Sequence, residues 1–114
     1  PKAVGPYSQA IEVNGTLYIS GQIPVNPADG TVQEEITAAA HQSLKNIGAI
    51  LREAGMTYDN VVKTTVLLAD IADFKAVNEV YAEYFTGDKP ARACYQAAAL
   101  PLGVKVEIEA IAVR

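Results

Sequence analysis

The stretch Lys89-Pro90-Ala91-Arg92-Ala93-Cys94-Tyr95 places one arginine after a proline, inside an otherwise apolar segment. A guanidinium is costly to bury without an anionic partner, and its planar set of donors matches a carboxylate. Arginines are seldom fully buried, so Arg92 taken alone is more simply a strand-end residue that extends to solvent. Whether Arg92 is exposed or binds an anion depends on what the rest of the chain places beside it.

Glu107 and Glu109 are two residues apart and therefore lie on one face of the last predicted strand. Two neighbouring carboxylates can do general acid–base chemistry, but the same pattern is typical of a solvated strand face. The spacing alone favours the solvated face. Glu107 becomes a candidate for catalysis only if Arg92 lies near it.

Cys94 and His41 are the one thiol and the one imidazole of the chain. They could form a nucleophile–base pair, but a small buried cysteine and a helix-surface histidine are the commoner fates of these residues. We therefore favour a structural role for both. Their number and spacing fit neither an internal disulfide nor a metal site, so no metal is predicted.

Ser20-Gly21 and Tyr7 are weaker candidates. A glycine at a strand end allows a ligand to approach the backbone closely, although it also simply ends strands. Tyr7 follows Gly5-Pro6 and either offers a phenol to a site or packs. Thr31 and Glu34 have the spacing of a helix capping box and are assigned to the start of a helix.

The composition predicts one globular domain over residues 1–114, with 50% hydrophobic and 19% charged residues. No apolar run is long enough to span a membrane. The net charge is −4 and the pI is about 4.8, with nine scattered Lys and Arg, which disfavours nucleic acid as a partner and allows a small anion. The single cysteine and the absence of a visible signal segment favour the cytoplasm.

Hydrophobic periodicity predicts the order ββαβαββ in an α+β protein. A helix of about twenty residues is expected because Ile36, Ala40, Leu44, Ile47, Leu51 and Ala54 recur every three or four residues, and Gly55 ends it. A second helix carries Phe74, Val77, Tyr81, Tyr84 and Phe85, with N-caps at 70–73. Strands are expected at residues 7–13, 16–20, 61–69, 91–98 and 104–113.

Two helices of this size can cover only one face of a five- or six-stranded mixed sheet. The strand at 61–69 is apolar on both sides and is expected to be central and covered on both faces. Ile111 and Val113 lie on the face away from the helices, which would expose more apolar area than monomers usually do. Self-association through this face is predicted. Because Glu107 shares the face, a site between subunits is expected.

Several segments occur together in a fixed order: Gly5-Pro6-Tyr7-Ser8-Gln9, Ser20-Gly21-Gln22-Ile23-Pro24, Val62-Lys63-Thr64-Thr65-Val66, Asn78, Pro90-Ala91-Arg92-Ala93-Cys94 and Val106-Glu107-Ile108-Glu109-Ala110. Over essentially the whole chain this set resembles the RidA (YjgF) family of enamine/imine deaminases. The resemblance implies a chorismate mutase-like fold, a homotrimer with clefts between subunits, and no cofactor. It implies hydrolysis of 2-iminopropanoate and 2-iminobutanoate to 2-keto acids and ammonia.

The resemblance also implies roles for individual residues. Arg92 matches the carboxylate-binding arginine, and Glu107 matches the acidic residue associated with the attacking water. Residues expected to line the substrate pocket are Tyr7, Ser20, Gly21, Asn78 and Cys94, the last as a wall and not a nucleophile. Two alternatives stay open: a non-catalytic small-acid-binding or chaperone-like trimer, and a ribonuclease or translation inhibitor, which the acidic composition disfavours.

Overall fold

The strict alternation of apolar residues near the C-terminus places that segment at the centre of a five-stranded sheet. The computed structural model describes all residues from Pro1 to Arg114. The strands are β1 (Ala10–Val13), β2 (Thr16–Gln22), β3 (Val61–Leu68), β4 (Ala91–Gln96) and β5 (Val106–Val113), and the helices are α1 (Ile36–Glu53) and α2 (Phe74–Tyr84). The sheet order is β1-β2-β5-β3-β4, and only the β3–β4 pair is parallel. The predicted α+β class and ββαβαββ order are confirmed.

The core lies between one face of the sheet and the two helices. Alternate residues of β5 face the helices and are buried, namely Val106, Ile108, Ala110 and Ala112. The predicted stripe of α1 supplies Ala40, Leu44, Ile47 and Leu51, which are fully buried against this face. Removal of these apolar surfaces from water is the main driving force that holds the helices on the sheet. We call this surface of the sheet the helix face.

The opposite surface of the sheet, which we call the open face, has no cover within the chain. Cross-strand pairing places Ile11, Tyr18, Ile111 and Lys63 in one row on it. Tyr18 and Ile11 are each about half exposed. The predicted apolar second face is therefore present. The expected cover of residues 61–69 on both sides is wrong for the single chain, because Val62 and Lys63 are exposed where the helices do not reach.

The start of α1 differs from the prediction. Glu35 is the N-cap, and its carboxylate accepts hydrogen bonds from the backbone N–H groups of Thr37 and Ala38. The predicted capping box of Thr31 and Glu34 is wrong. Thr31 is engaged instead by the preceding turn, where its N–H and hydroxyl donate to Asp29 Oδ1 over 3.0 and 2.8 Å. The turn at Asp29 thus holds Thr31 in the loop before α1, and Glu35 takes the N-cap position.

The boundaries of β1 and β2 also differ from the prediction. β1 begins at Ala10, whereas β2 continues to Gln22, past the glycine that was expected to end it. Ile19 pairs with Ala110 and Gln22 pairs with Ile108, so Ser20 and Gly21 together oppose one residue of β5. This is a β-bulge, which locally bends the strand and redirects its side chains.

None of the helices is both long and apolar enough to cross a membrane.

Candidate functional site

Arg92 lies on the edge strand β4, at the register of Thr64, and faces the helices. Its Nη1 donates to Asn78 Oδ1 on α2 over 2.7 Å. Its guanidinium carbon lies 4.9 Å from the ring centroid of Tyr81 and 5.5 Å from that of Phe74. The two ion pairs of the chain involve other residues, so no carboxylate lies within 4.0 Å of Arg92. The guanidinium is therefore held by neutral groups and keeps most of its donors free.

A cleft of about 340 Å³ opens in front of this guanidinium. Its lining residues are Asn78, Tyr81, Ala82, Lys89, Pro90 and Arg92, none of which is acidic. Lys89 Nζ donates to the backbone carbonyl of Phe85, which keeps a second positive charge beside the cleft. A partly buried cation with unsatisfied donors and no acidic neighbour is suited to a small carboxylate.

Cys94 follows Arg92 by two residues and therefore points to the same side of β4. It is half-buried and packs against the core. Burial raises the pKa of the Cys94 thiol, and the smaller opposing effect of the Arg92 charge does not reverse the shift. A thiol of raised pKa is a poor nucleophile at neutral pH. The thiol is therefore not suited to act as a nucleophile, and Cys94 is not among the residues that line the cleft at Arg92.

His41 is occupied by partners on α2. Its Nδ1 lies 2.7 Å from the Tyr84 hydroxyl, and its Nε2 lies 3.9 Å from a carboxylate oxygen of Glu83. No hydrogen bond joins His41 to Cys94, in agreement with the structural interpretation of both residues. No cluster of three or more His, Cys, Asp or Glu side chains could hold a metal ion.

Glu107 lies on the open face of β5, beside the β-bulge of β2. Its carboxylate packs so closely on Gly21 that a Cβ at that position would be 2.5 Å from Oε2 and 2.8 Å from Cδ. Any side chain at position 21 would have to displace the Glu107 carboxylate. Desolvation, and secondarily the charge of Glu109, raise the pKa of the Glu107 carboxyl above its usual value. The result is a half-buried, unusually basic carboxylate.

Tyr7 and Ser20 make local contacts near the bulge of β2. Tyr7 is partly exposed and lines a cavity of about 60 Å³ together with Gly21, and its hydroxyl accepts a hydrogen bond from the Val4 N–H at 3.3 Å. The Ser20 hydroxyl donates to the Ser8 carbonyl over 2.6 Å. In the single chain, the Ser20 hydrogen bond ties the N-terminal segment to the bulge, whereas that of Tyr7 stays within the N-terminal segment.

The predicted residues thus fall into two groups on opposite faces of the sheet. Arg92, Asn78 and Cys94 form the first group, on the helix side of the edge strand. The second group is Glu107 with Gly21, on the open face. Arg92 is at the register of Thr64 and Glu107 at that of Leu67, so the two are also separated along the strands. One chain does not bring Arg92 and Glu107 together.

Sequence reasoning missed the aromatic support of Arg92. It assigned Phe74 and Tyr81 only to the apolar stripe of α2, yet Phe74 is 40% exposed and its ring centroid lies 5.5 Å from the guanidinium carbon. The signal was available: positions 74, 78 and 81 recur at helical spacing and hence share one face of α2. Since Asn78 was already a candidate, its helical neighbours could have been added.

The fold and the two residue groups define an α+β class of protein. An edge-strand arginine faces a cleft without acidic residues, and a half-buried carboxylate packs on a glycine bulge of the other face. The family model described as Endoribonuclease L-PSP matches residues 1–114. The chain belongs to this family, which is also known as the YjgF or RidA family. The family resemblance noted in the sequence is confirmed.

Similar proteins cover the full chain. The chain is 58% identical to a Mus musculus protein named 2-iminobutanoate/2-iminopropanoate deaminase, with 100% of this chain and 85% of that protein covered. It is 53% identical to Reactive Intermediate Deaminase A, chloroplastic, of Arabidopsis thaliana, over 98% of this chain and 60% of that protein. A crystal structure of E. coli TdcF with bound serine matches with a TM-score of 0.97 at 43% identity, covering 100% of this chain and 92% of that one.

Proposed function

We propose that this chain is a deaminase that hydrolyses 2-iminopropanoate and 2-iminobutanoate to the corresponding 2-keto acids and ammonia, without a cofactor or metal. The observation that carries the proposal is the Arg92 guanidinium, which is oriented by Asn78 and aromatic rings and has no acidic partner. The deaminase names of the mouse and Arabidopsis relatives support the reaction. The substrate carries the carboxylate that Arg92 lacks.

Binding comes first in the proposed mechanism. Asn78 takes one Nη1 hydrogen, which leaves the other donors of Arg92 free for two parallel hydrogen bonds to the substrate carboxylate. Two such bonds fix both the position and the plane of the carboxylate. The adjacent C=N carbon is then held in one place, where a correctly placed water can attack it.

Water addition and loss of ammonia need one group that accepts and returns a proton. The substrate nitrogen is protonated, so its C=N carbon is electrophilic without a protein nucleophile. Glu107 takes a proton as the water oxygen bonds to that carbon, and the resulting carbinolamine carries the new C–O bond. Return of that proton to nitrogen makes ammonia the leaving group, and the Glu107 carboxylate then takes the hydroxyl proton as the C=O bond forms and the C–N bond breaks. The 2-keto acid and ammonia are released, and ammonia takes up the proton that Glu107 holds, which regenerates the carboxylate. The raised pKa of the Glu107 carboxyl suits this exchange.

The proposed active unit is a homotrimer of single-domain subunits with sites between neighbouring subunits. Arg92 and Glu107 lie on opposite faces of the sheet, so the Arg92 group of one chain is proposed to meet the Glu107 group of the next. The same assembly would cover the exposed apolar residues of the open face. Tyr7, Ser20 and Gly21 would then enter with Glu107, and Asn78 and Cys94 with Arg92.

The experiment is a coupled assay in which an amino acid oxidase or dehydratase generates the 2-imino acid and its disappearance is followed. Wild-type protein should accelerate the loss over buffer, and Arg92→Ala should abolish the acceleration. Arg52→Ala, which changes an exposed arginine in the last turn of α1, is the matched control and should retain activity. A wild-type rate equal to that of buffer would refute the proposal.

A second candidate function is binding of small acids without turnover, or a chaperone-like role. The structure of E. coli TdcF with bound serine favours the binding alternative, because serine is a small carboxylate-bearing molecule. This alternative predicts 2-keto acid binding, or protection of client proteins, without accelerated imine loss. The assay above therefore separates it from the deaminase.

The family description also names an endoribonuclease, a function for which the charge of this chain is poorly suited. RNA cleavage that persists in Arg92→Ala after stringent purification would support that function.

For the location we propose the cytoplasm, which the single cysteine favours. Immunofluorescence of the native protein would test the location, since the Arabidopsis relative is named as chloroplastic.

A further inference from the structure

We propose that Tyr81, held in place by Thr64, is a positioning residue that orients the Arg92 guanidinium for the substrate carboxylate. The inference rests on the proposed function in that it assigns Arg92 to carboxylate binding. It adds Thr64 of β3 to the site and makes Tyr81 of α2 the link through which Thr64 acts on Arg92.

Thr64 connects the sheet to Tyr81. It is the parallel-strand neighbour of Arg92 and lies on the same face, fully buried beneath α2. Its Oγ1 is 2.7 Å from the Tyr81 hydroxyl, and this hydrogen bond is itself buried. Tyr81 is only 6% exposed. A change of the Tyr81 side chain to another χ1 rotamer would break this buried hydrogen bond, which is costly, so the bond holds the ring in place. Rotation about the ring axis is limited by packing, since the Phe85 ring centroid lies 4.5 Å from that of Tyr81.

The fixed ring in turn limits Arg92. The guanidinium carbon lies over the Tyr81 ring, 4.9 Å from its centroid, whereas Phe74 and Asn78 contact it from other directions along α2. Aromatic faces attract a cation without accepting its in-plane hydrogen bonds. Burial raises the pKa of the Tyr81 phenol, which therefore stays neutral beside the arginine.

Neutral support has a functional consequence. A carboxylate in the place of Tyr81 would orient Arg92 equally well, but it would occupy the donors that the substrate needs and cancel the charge. Tyr81 orients the guanidinium, leaves its N–H donors free for the substrate and leaves its positive charge uncancelled. Since the hydroxyl of Tyr81 is bonded to β3 and its face to Arg92, one side chain links the direction of the guanidinium to the sheet.

The test measures binding of 2-oxobutanoate, a stable 2-keto acid, by isothermal titration calorimetry. Tyr81→Leu removes the ring and should weaken binding on the order of tenfold, the range expected for loss of a partly desolvated cation–π contact. Tyr81→Phe keeps the ring and should retain affinity within about threefold, because only the bond to Thr64 is lost. Tyr84→Leu is the matched control on the same helix, where the tyrosine contacts His41 instead, and should bind as wild type does.

A coupling measurement distinguishes positioning from a general loss of structure. In an Arg92→Ala background, Tyr81→Leu should cause no further loss of affinity, because Tyr81 acts only through the arginine. If Tyr81→Leu fails to fold, Thr64→Val and Tyr81→Phe replace it. Each should weaken binding about twofold to threefold, and the double variant should be no weaker than either single one.

Unchanged affinity in Tyr81→Leu would overturn the inference. Equal weakening by Tyr84→Leu, or additive losses in the Arg92→Ala background, would overturn it too. A wild-type protein that does not bind 2-oxobutanoate would also overturn it, because Arg92 would then not bind a carboxylate. A different result would refute only the deaminase proposal: the variants bind 2-oxobutanoate with the expected affinities, yet the wild-type protein does not accelerate the loss of the 2-imino acid.

Discussion

The carboxylate of Glu107 packs directly against the backbone of Gly21, leaving no room for a Cβ, which would lie 2.5 Å from Oε2. This contact joins the bulge of β2 to the central strand β5. It explains why a glycine stands inside a strand, where glycine is otherwise unfavourable. The position of the proposed proton acceptor thus depends on a residue that has no side chain.

Gly21→Ala should therefore reduce imine hydrolysis more than it reduces stability. The new methyl group must displace the Glu107 carboxylate, and a shift of about 1 Å at a reacting group can cost about a hundredfold in rate. Steady-state kinetics and thermal unfolding of the same preparation would check this. Gly87→Ala is the matched control, since a Cβ there meets nothing closer than 3.8 Å. Full activity of Gly21→Ala would contradict the assigned contact.

Glu107→Gln should lower kcat strongly and leave the protein at least as stable as wild type at neutral pH. The folded-state pKa of Glu107 is raised, so the folded protein binds the proton more tightly than the unfolded chain does. The contribution of this group to stability is then largest at low pH and falls as pH rises from the unfolded to the folded pKa. Denaturant unfolding at pH 7 and pH 4 should show the advantage of the variant at pH 7 only.

The pH dependence of kcat in the wild type should reflect the same group. If ionised Glu107 accepts the proton, activity rises with pH through a pKa above the usual glutamate value of about 4.3. Glu109→Gln removes a neighbouring negative charge that contributes to the shift, so its acid limb should move to lower pH. An acid limb that does not move in Glu109→Gln would argue against Glu107 as the titrating group.

Mixing of two inactive variants offers a direct test of the shared site. Arg92→Ala keeps Glu107, and Glu107→Gln keeps Arg92, so a mixed trimer would contain one interface with both native residues. Random reassembly of equal amounts should restore about a quarter of the wild-type sites, counted from the cyclic symmetry. The measurement is imine hydrolysis after joint unfolding and refolding, with each variant refolded alone as the control. No recovery would place both residues in one chain's site or disprove their roles.

Gly48→Ala should destabilise the fold although alanine is the better helix former by about 1 kcal/mol. A Cβ at Gly48 would collide with the Tyr58 hydroxyl, which donates to the Leu44 carbonyl over 2.7 Å. Overpacking of this kind costs about 1–3 kcal/mol, which exceeds the gain. Burial raises the pKa of Tyr58 to about 12, so the hydroxyl stays a donor.

Thermal unfolding of Gly48→Ala would check this prediction, and Tyr58→Phe in the same chain should restore part of the loss by removing the clashing oxygen. A single variant more stable than wild type would show that the helix accommodates the methyl group. A glycine inside a helix weakens it unless close packing compensates, and at Gly48 the close packing is with Tyr58.

Periodicity in the sequence was sufficient for the elements and for the faces of β5, because burial follows the alternation of Val106, Ile108 and Ala110 directly. It was not sufficient for the start of α1, where Thr31 and Glu35 compete as N-caps: Asp29 holds Thr31 in the preceding turn, and the Glu35 carboxylate accepts from the first N–H groups of the helix. The outcome of that competition depends on turn geometry. Local patterns do not contain this information.

The candidate site was less predictable than the fold. Arg92 and Glu107 were both singled out, yet nothing in their spacing shows that the sheet lies between them. The bulge at Ser20 and Gly21 is equally hidden, since one extra residue on β2 becomes visible only when β2 is paired with β5. Phe74 was misassigned because an aromatic residue has the same pattern whether it packs on the core or on a guanidinium.

The separation of Arg92 and Glu107 by the sheet has a consequence for how the protein would behave in a cell. Under the proposed assembly an isolated subunit contains no complete site, so the activity per molecule depends on the protein's own concentration. Below the dissociation constant of the oligomer, newly made chains would be inert. Synthesis would therefore raise activity more steeply than in proportion to the amount of protein, which dilution of the purified enzyme would reveal as a falling specific activity.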